Sequence, residues 1–339
     1  MKAILARRSG GFVLCEVDSP AIGSGEILLE MQACGLCGTD LAKLAQPHNS
    51  HGVILGHELA GVVRAVGPGV TRFSPGDRVV AAHHVPCGDC WACRHGNESM
   101  CPQFKATNID PCGFAELVRI PGLHVEQVTH LLPEEMSFEV ASFTEPLACA
   151  VRAVQRSHAL GGDRIAVVGG GGVGLLIAQV LAAHGAVPVV LEISEARLAL
   201  ARTLGITLTI NPAREDVPAA VAEMTGGVGL DGAILTVVTE KILSETQRLL
   251  RPGGRLNIFA GPTGEPCLPV DFAELYHREL SIISTYSSTP ETLAEAFDLL
   301  ATSQVRVQPL ISHRLPLVAF DEGVELQRSG KATKVIFHP

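Results

Sequence analysis

The stretch RIAVVGGGGVG, residues 164–174, decides the fold of the second half of this 339-residue chain. A short apolar run leads into the pattern G-x-G-x-x-G, formed by Gly169, Gly171 and Gly174, and a helical pattern follows. Glycines at these positions permit a tight turn and let backbone N–H groups approach a pyrophosphate. The stretch therefore predicts a strand, a phosphate-binding turn and a helix, the first unit of a dinucleotide-binding domain.

The rest of the predicted cofactor site lies close to this turn. Gly172 and Val173 complete the turn, and Glu192 follows the next apolar run, 23 residues after the first glycine. A carboxylate there can accept hydrogen bonds from both ribose hydroxyls and would repel a 2′-phosphate, which predicts NAD rather than NADP. Arg197, one helical turn later, could bind the same ribose. The alternative is a glycine-rich packing turn with Glu192 as a solvated surface acid.

Apolar runs and helical patterns alternate around this turn from residue 148 onwards. In chain order the predicted strands and helices are Arg164–Val168, Val173–His184, Val187–Leu191, Glu195–Leu204, Asp231–Leu235, Lys241–Leu250 and Arg255–Phe259, with a turn at Pro252–Gly254. This alternation predicts an α/β domain with a doubly wound parallel sheet over residues 148–286.

The flanking regions have a different pattern. Residues 1–147 contain short strands separated by Gly and Pro, such as Glu26–Met31 and Gly61–Val66, which predicts an antiparallel β domain. Residues 287–339 contain two predicted helices and a final strand, Lys334–Phe337, and we expect them to pack on that first domain. Two domains also agree with the length of the chain, because single hydrophobic cores stop growing at about 250–300 residues.

Charge and hydropathy exclude several classes of function. Hydrophobic residues make up 47% of the chain, but no apolar run reaches the roughly 18 residues that span a bilayer. The 26 Lys and Arg residues are outnumbered by 35 Asp and Glu residues and form no basic cluster, so we expect no nucleic-acid or membrane partner. The N-terminus lacks a long apolar segment and a cleavage site, which favours a cytoplasmic protein that binds a small molecule.

Four of the ten cysteines, Cys87, Cys90, Cys93 and Cys101, have the spacing C-x2-C-x2-C-x7-C. One loop with this spacing can place four thiolates tetrahedrally around a zinc ion. Four sulfur ligands leave no position for water or substrate, so we predict a structural zinc in a lobe over residues 84–104. Free thiols or an iron–sulfur cluster are the alternatives.

Three further segments carry potential metal ligands: CGLCGTD at residues 34–40, GHE at 56–58 and TEP at 144–146. With the four cysteines and the glycine pattern, they occur in an order that resembles the zinc-containing medium-chain dehydrogenases along the whole chain. The chain is most similar to the sorbitol and threonine dehydrogenase branch, in which a glutamate replaces the cysteine of liver-type alcohol dehydrogenases. The resemblance implies a GroES-like antiparallel β catalytic domain, a Rossmann domain and a homo-oligomer, either a tetramer or a dimer.

The resemblance also implies a catalytic zinc held by Cys37 and His57. Glu58 is then a ligand or an adjacent exchangeable carboxylate, and Glu145 is a ligand or a base that acts on zinc-bound water. Asp40 could orient His57 by accepting a hydrogen bond from the ring nitrogen that does not bind the metal. A zinc ion with an open position can bind an alcohol oxygen and lower its pKa, after which a hydride passes to the nicotinamide.

Proton transfer is the part of this scheme in which the sequence departs from its relatives. Thr39 would hydrogen-bond the substrate oxygen and pass its proton on. Many relatives carry a relay histidine three residues later, where this chain has Ala42. The other candidates for the relay are His48, His51 and water held by Glu145. His84 matches a threonine dehydrogenase motif and either reaches the pocket or has a structural role.

Together these features predict a zinc-dependent oxidoreductase that transfers a hydride between a secondary alcohol, polyol-like, and NAD. Two zinc ions per chain are expected, one catalytic and one structural. A threonine-type amino-alcohol dehydrogenase is one alternative, and it would need a basic residue that binds the substrate carboxylate. A non-enzymatic redox sensor that binds NAD and zinc on the same fold is the other, but that alternative would require a broken active site.

Overall fold

A computed structural model describes residues 1–7, 9–45, 55–261 and 270–339, which divide into two compact units. Unit 1 comprises Met1–Ala148, Ser288–Ser303 and Leu310–Pro339. Unit 2 comprises Cys149–Ser287 and Gln304–Pro309.

Unit 1 is built from short strands and short helices. In its first segment these are β1 (Lys2–Ala6), β2 (Phe12–Glu16), β3 (Ile27–Gly35), α1 (Gly38–Leu44), β4 (Glu58–Val66), β5 (Arg78–Ala81), α2 (Trp91–Arg94), α3 (Pro102–Ala106), β6 (Leu117–Ile120), α4 (Gly122–Gln127), β7 (Thr129–Leu131), α5 (Phe138–Ala141) and the start of α6 (Thr144–Arg156). The sequence did not indicate helices α1 to α5, because four to seven residues are too few to display a helical period.

Unit 2 alternates strands and helices. They are β8 (Arg164–Val168), α7 (Gly172–Ala183), β9 (Val187–Leu191), α8 (Glu195–Thr203), β10 (Leu208–Ile210), α9 (Val217–Thr225), β11 (Leu230–Leu235), α10 (Glu240–Leu249), β12 (Leu250–Ile258), α11 (Phe272–His277) and β13 (Ser281–Ser284). As far as the chain is described, these strands form a parallel sheet of six in the order β10-β9-β8-β11-β12-β13. This is the doubly wound order, so the predicted Rossmann fold is confirmed.

One predicted boundary in unit 2 is wrong. The turn expected at Pro252–Gly254 does not separate a helix from a strand, because β12 begins before it and continues after it. The pairing with β11 shifts from Leu230 opposite Leu250 to Gly232 opposite Arg255. The turn residues therefore form an irregularity within the strand, and Gly253 allows it by adopting a φ of +72°.

After unit 2 the chain returns to unit 1 with α12 (Pro290–Ala301), β14 (His313–Pro316), α13 (Phe320–Arg328) and β15 (Val335–His338). Among the described residues, unit 1 then has a seven-stranded sheet in the order β14-β15-β3-β4-β5-β7, with β6 also paired to β3. Its strand pairs are antiparallel except β14 with β15, which confirms the predicted antiparallel β domain.

Strand β3 is the centre of this sheet and leads directly to the candidate site. Ile27, Leu29 and Met31 are buried on alternate positions, as expected for a strand with one face in the core. The strand continues four residues past the predicted end, to Gly35. There it pairs with the start of β4 on one side and with β15 on the other.

No helix in the described part of the chain is both long enough and apolar enough to cross a membrane.

Candidate active site and structural metal site

Cys37 lies at the N-cap of α1, immediately after β3. Its Sγ accepts a hydrogen bond from the Thr39 N–H at 3.5 Å, and its own N–H donates to Asp40 Oδ2 at 3.0 Å. This reciprocal arrangement is a capping box, which satisfies backbone N–H groups that a helix terminus otherwise leaves unpaired. The cap fixes the position of the thiol and leaves the exposed Thr39 in the first turn beside it.

Asp40 connects this helix to the GHE segment. Its side chain is fully buried, and Oδ1 accepts a hydrogen bond from the Gly56 N–H at 3.0 Å and lies 3.4 Å from His57 Nδ1. Burial raises the pKa of Asp40, but the His57 ring and the donated N–H groups lower it below its usual value. An ionised Asp40 therefore holds Nδ1 of His57 and leaves Nε2 for another partner.

His57 and the carboxylates form the centre of a mixed cluster. The ligand atoms of Cys37, His57 and Glu58 all lie within 4.8 Å of one another. Glu145, in the first turn of α6, has Oε2 4.0 Å from His57 Nε2. Burial lowers the pKa of His57, but the charges of Asp40 and Cys37 raise it well above the usual value.

This mixed cluster, defined as Cys37, His57, Glu58 and Glu145, fits a divalent cation. Glu58 is 1% exposed, and its Oε1 has no hydrogen-bond partner among the described residues. Buried polar atoms are nearly always satisfied, so this oxygen beside a thiol and an imidazole fits a further positive partner at the cluster. Thiolate, imidazole and carboxylate are the three ligand types that zinc takes.

A buried lysine also contacts the mixed cluster. Lys334 Nζ is ion-paired with Glu58 Oε2 and donates to the Leu36 carbonyl at 3.3 Å. Burial lowers the pKa of Lys334, but the Glu58 carboxylate and the nearby Cys37 raise it above its usual value. This contact was not predictable from the sequence, because Lys334 precedes the last strand of the chain and its partner lies at the start of β4.

Two histidines continue the row of rings that starts at His57. The His83 ring lies 4.8 Å from the His57 ring, and the His84 ring lies 3.9 Å from the His83 ring, measured between centroids. His84 Nδ1 contacts the Thr107 carbonyl at 2.6 Å, and burial lowers its pKa to about 4. His83, which the sequence did not single out, is thus closer to the mixed cluster than His84. The relay candidates His48 and His51 lie outside the described residues.

The four cysteines of the lobe also converge. Their sulfurs all lie within 4.8 Å of one another, with Cys90–Cys93 at 3.5 Å, Cys87–Cys101 at 3.6 Å and Cys87–Cys93 at 4.0 Å. Sulfurs placed about 2.3 Å from a tetrahedral zinc would be about 3.8 Å apart. The observed spacing therefore fits a zinc ion bound by four thiolates. Few apolar residues pack around this cluster, Phe104 being one of them.

The glycine turn of unit 2 has the close backbone contacts that the sequence predicts. Gly169 follows β8 with a φ of +102°, and a Cβ on Gly174 would collide with the Gly169 carbonyl oxygen. Gly171 is the N-cap of α7, and Gly172 and Val173 are its first residues. Their backbone N–H groups therefore lie at a helix N-terminus, where a phosphate is favourably bound.

Glu192 follows β9 beside this turn. Its Oε2 accepts a hydrogen bond from the Gly170 N–H at 2.8 Å, and its Oε1 accepts one from the Ser194 N–H at 2.9 Å. Arg197 Nη1 lies 3.5 Å from the same Oε2. Each carboxylate oxygen can accept more than one hydrogen bond, so these contacts fix the side chain and leave acceptor capacity for a ribose.

Comparisons with known proteins agree with this geometry. Residues 23–131 match the family model of the alcohol dehydrogenase GroES-like domain, and residues 172–302 match that of zinc-binding dehydrogenases. L-threonine 3-dehydrogenase from Bacillus velezensis is 33% identical, over 100% of this chain and 99% of the relative. Sorbitol dehydrogenase from Halalkalibacterium halodurans is 29% identical, over 100% of this chain and 99% of the relative.

The chain belongs to the zinc-binding alcohol dehydrogenase family. Among solved structures, a zinc-binding dehydrogenase from Sinorhizobium meliloti bound to NADP superposes with a TM-score of 0.89 and is 28% identical, over 100% of this chain and 99% of that one. The predicted resemblance to the zinc-containing superfamily, with its threonine and sorbitol dehydrogenase relatives, is therefore confirmed. As a member of this family the protein is an oxidoreductase.

Proposed function

We propose that this family member is an NAD-dependent zinc dehydrogenase that oxidises a secondary alcohol of the polyol type. The observation that carries the proposal is the mixed cluster itself. Cys37, His57 and Glu145 come from three distant segments, and no local structural role requires a thiol, an imidazole and a carboxylate at one buried place. Convergence on a cation provides that reason.

Within this proposal Cys37 and His57 hold the metal, and Glu145 or Glu58 supplies a carboxylate. When bound, zinc supplies a Lewis acid that lowers the pKa of an alcohol oxygen. Asp40 lies beside Nδ1 of the His57 ring, which would leave Nε2 to bind the ion.

The protein also has to remove the substrate proton. The Thr39 hydroxyl, two residues after the cap at Cys37, would hydrogen-bond the substrate oxygen, accept its proton and pass its own proton on. Beyond Thr39, the candidates for the relay are still His48, His51 and water held by Glu145, since Ala42 carries no titratable group.

We further propose that the lobe of Cys87, Cys90, Cys93 and Cys101 binds a second zinc with a structural role. Four thiolates complete a tetrahedral site, so this ion has no position for substrate. The near-tetrahedral sulfur distances support this assignment.

NAD is the proposed cofactor because of Glu192. The relative from Sinorhizobium meliloti was solved with NADP and another structural relative, from Escherichia coli, with NADH, so the fold accepts either dinucleotide and the residue at the ribose has to decide between them. A buried carboxylate beside the glycine turn would repel a 2′-phosphate and accept hydrogen bonds from a free 2′-hydroxyl. Equal kcat/KM for the two cofactors would contradict this role of Glu192.

An amino alcohol of the threonine type is the second candidate substrate, and two observations favour it. The relative from Bacillus velezensis is an L-threonine 3-dehydrogenase. In addition, Lys43 lies on α1 four residues after Thr39, on the same helical face, and could meet a substrate carboxylate. The positive charge of Lys43 also acts on the two histidines next to the mixed cluster. Burial is the main cause that lowers the pKa of His83 and His84, and the charge of Lys43 lowers both further.

One experiment tests the function and separates the two substrates. NAD reduction would be followed with polyols, vicinal diols, L-threonine and simple secondary alcohols, on protein whose zinc content has been measured. We expect about two zinc ions per chain and the highest kcat/KM with a diol or polyol. Turnover of L-threonine alone would establish the amino-alcohol function, and no NAD reduction by zinc-loaded protein with any of them would contradict the proposed function.

A further inference from the structure

Glu58 is placed between two cations that would compete for it. Its carboxylate lies within 4.8 Å of the ligand atoms of Cys37 and His57, which is close enough to bind the same metal. The same carboxylate is ion-paired through Oε2 with the Lys334 ammonium. A buried carboxylate cannot remain unpaired at low cost, so one of the two cations has to hold it.

The contacts around Lys334 hold its ammonium in place. Nζ donates to the Leu36 carbonyl at 3.3 Å and lies 5.5 Å from the centroid of the Phe143 ring. The Lys334 backbone is fixed as well, because its carbonyl accepts hydrogen bonds from the N–H and the hydroxyl of Ser312. These contacts hold the ammonium beside Glu58 and do not depend on the Glu58 carboxylate.

Gly35 makes room for this pair. It lies opposite Glu58 in the pairing of β3 with β4 and opposite Ile336 in the pairing of β3 with β15. A Cβ at position 35 would collide with Glu58 Oε2 and would lie 2.9 Å from Lys334 Cε. The sheet thus brings carboxylate and ammonium together across a residue that has no side chain.

The pairing of Glu58 with Lys334 determines how many protein ligands are available to the metal. Cys37, His57, Glu58 and Glu145 together would fill all four positions of a tetrahedral zinc, as the four cysteines do in the lobe. A zinc site that reacts with substrate keeps one position open. If Glu58 is held by Lys334, three protein ligands remain and the fourth position is free.

We propose that Lys334 is a positioning residue that holds Glu58 away from the reactive metal and so keeps one coordination position open for substrate. The inference rests on the proposed function, because it requires a metal at the mixed cluster. It assigns to the residue before the last strand a control over ligand number that neither the metal-binding motifs nor the family comparison indicates.

The test uses full-length protein with cobalt(II) at the mixed cluster and zinc in the lobe, and it needs no turnover. Imidazole is titrated in, and its binding to an open cobalt position is followed by the visible absorption spectrum. For Lys334→Met we expect the imidazole Kd to rise at least tenfold, because the released Glu58 occupies the open position. Lys334→Arg, which keeps the charge, should stay within about threefold of the parent protein.

Two further variants make the readout specific. Glu58→Gln/Lys334→Met removes both charges of the pair together, a change that buried ion pairs often tolerate, and it should bind imidazole like the parent protein. Lys331→Met is the matched control, because it removes an exposed lysine from the same segment and should change nothing.

The outcomes separate this inference from the proposed function. An unchanged imidazole Kd in Lys334→Met would overturn the role of Lys334. Loss of cobalt from the double variant would also overturn it, because Glu58 would then be a permanent ligand, and this result remains readable if Lys334→Met alone does not fold. Failure of the parent protein to bind any metal at the mixed cluster would instead contradict the proposed function.

Discussion

The lobe and the mixed cluster are two groups of side chains, both proposed to bind a metal, that the sequence builds in different ways. The lobe takes its four ligands from residues 87–101 and uses sulfur for all of them. The mixed cluster takes its ligands from the end of β3, the start of β4 and the start of α6, and combines three chemical types. Four sulfur ligands from one loop can fill all four coordination positions of a zinc ion. Ligands of different types from distant segments can leave one coordination position open.

The two clusters also differ in the amount of apolar core around them. The lobe packs against a few apolar residues such as Phe104, so little besides the sulfurs holds it together. The mixed cluster lies against the main core of unit 1, which includes Cys34, Leu36 and Leu59. We therefore expect the loss of a ligand to act on stability in the lobe and on turnover in the mixed cluster.

The largest effect is expected for His57→Ala. It should lower kcat/KM for the preferred alcohol by at least roughly 10⁴-fold, about 5.5 kcal/mol, because the ring that would bind the metal is lost. NADH binding, followed by fluorescence titration, should stay within about twofold, since the glycine turn and Glu192 belong to unit 2. Near-parental turnover of any alcohol by this variant would remove the mixed cluster from the mechanism.

In the lobe the corresponding change is Cys90→Ser, and its effect should appear in stability. We expect the first unfolding transition in urea to lose about 4 kcal/mol, because a site with three thiolates binds zinc weakly and the lobe has little core of its own. Cys15→Ser is the matched control, a half-buried cysteine outside both clusters that should cost less than about 1 kcal/mol. Equal unfolding curves for the two variants would mean that no metal holds the lobe.

The same contrast explains what the sequence could predict. The lobe could be recognised from spacing alone, because four ligands within one loop leave a local pattern. The strands β8 and β9 were predicted with their observed bounds, since buried parallel strands are continuous apolar runs between turn residues. In both cases all the information lies within a few neighbouring residues.

Long-range features were harder to predict. The residues of the mixed cluster were predicted as ligands only through family resemblance, because the spacing between three distant segments carries no geometric information. Lys334 was missed since only the pairing of β15 with β3 brings it to Glu58. The irregularity in β12 was missed because Pro and Gly usually end a strand. Here β12 pairs with β11 both before and after these residues.

A smaller effect on the mixed cluster is expected for Asp40→Asn. Asparagine retains one acceptor oxygen but loses the charge and the second oxygen, while Asp40 accepts hydrogen bonds from both Cys37 and Gly56 and lies beside His57. Substitution of a group that orients a metal ligand lowers metal affinity by about 10–100-fold. Competition with a chromophoric chelator would measure this loss, and Asp77→Asn, at a half-buried carboxylate that also caps a turn, should show none. Unchanged affinity in Asp40→Asn would mean that His57 is held in place without it.

The smallest effect is expected for an ion pair on the surface of the lobe, between Asp89 and Arg94. Their side chains approach to 2.6 Å but are 84% and 65% exposed, so water and salt screen the attraction. Asp89→Asn and Arg94→Gln should each change the first unfolding transition by less than about 0.5 kcal/mol, and that difference should vanish at high salt. The same urea experiment as for Cys90→Ser measures both variants. A loss comparable to that of Cys90→Ser would mean that surface charge holds the lobe, and the contrast between a metal-stabilised lobe and a reactive mixed cluster would no longer stand.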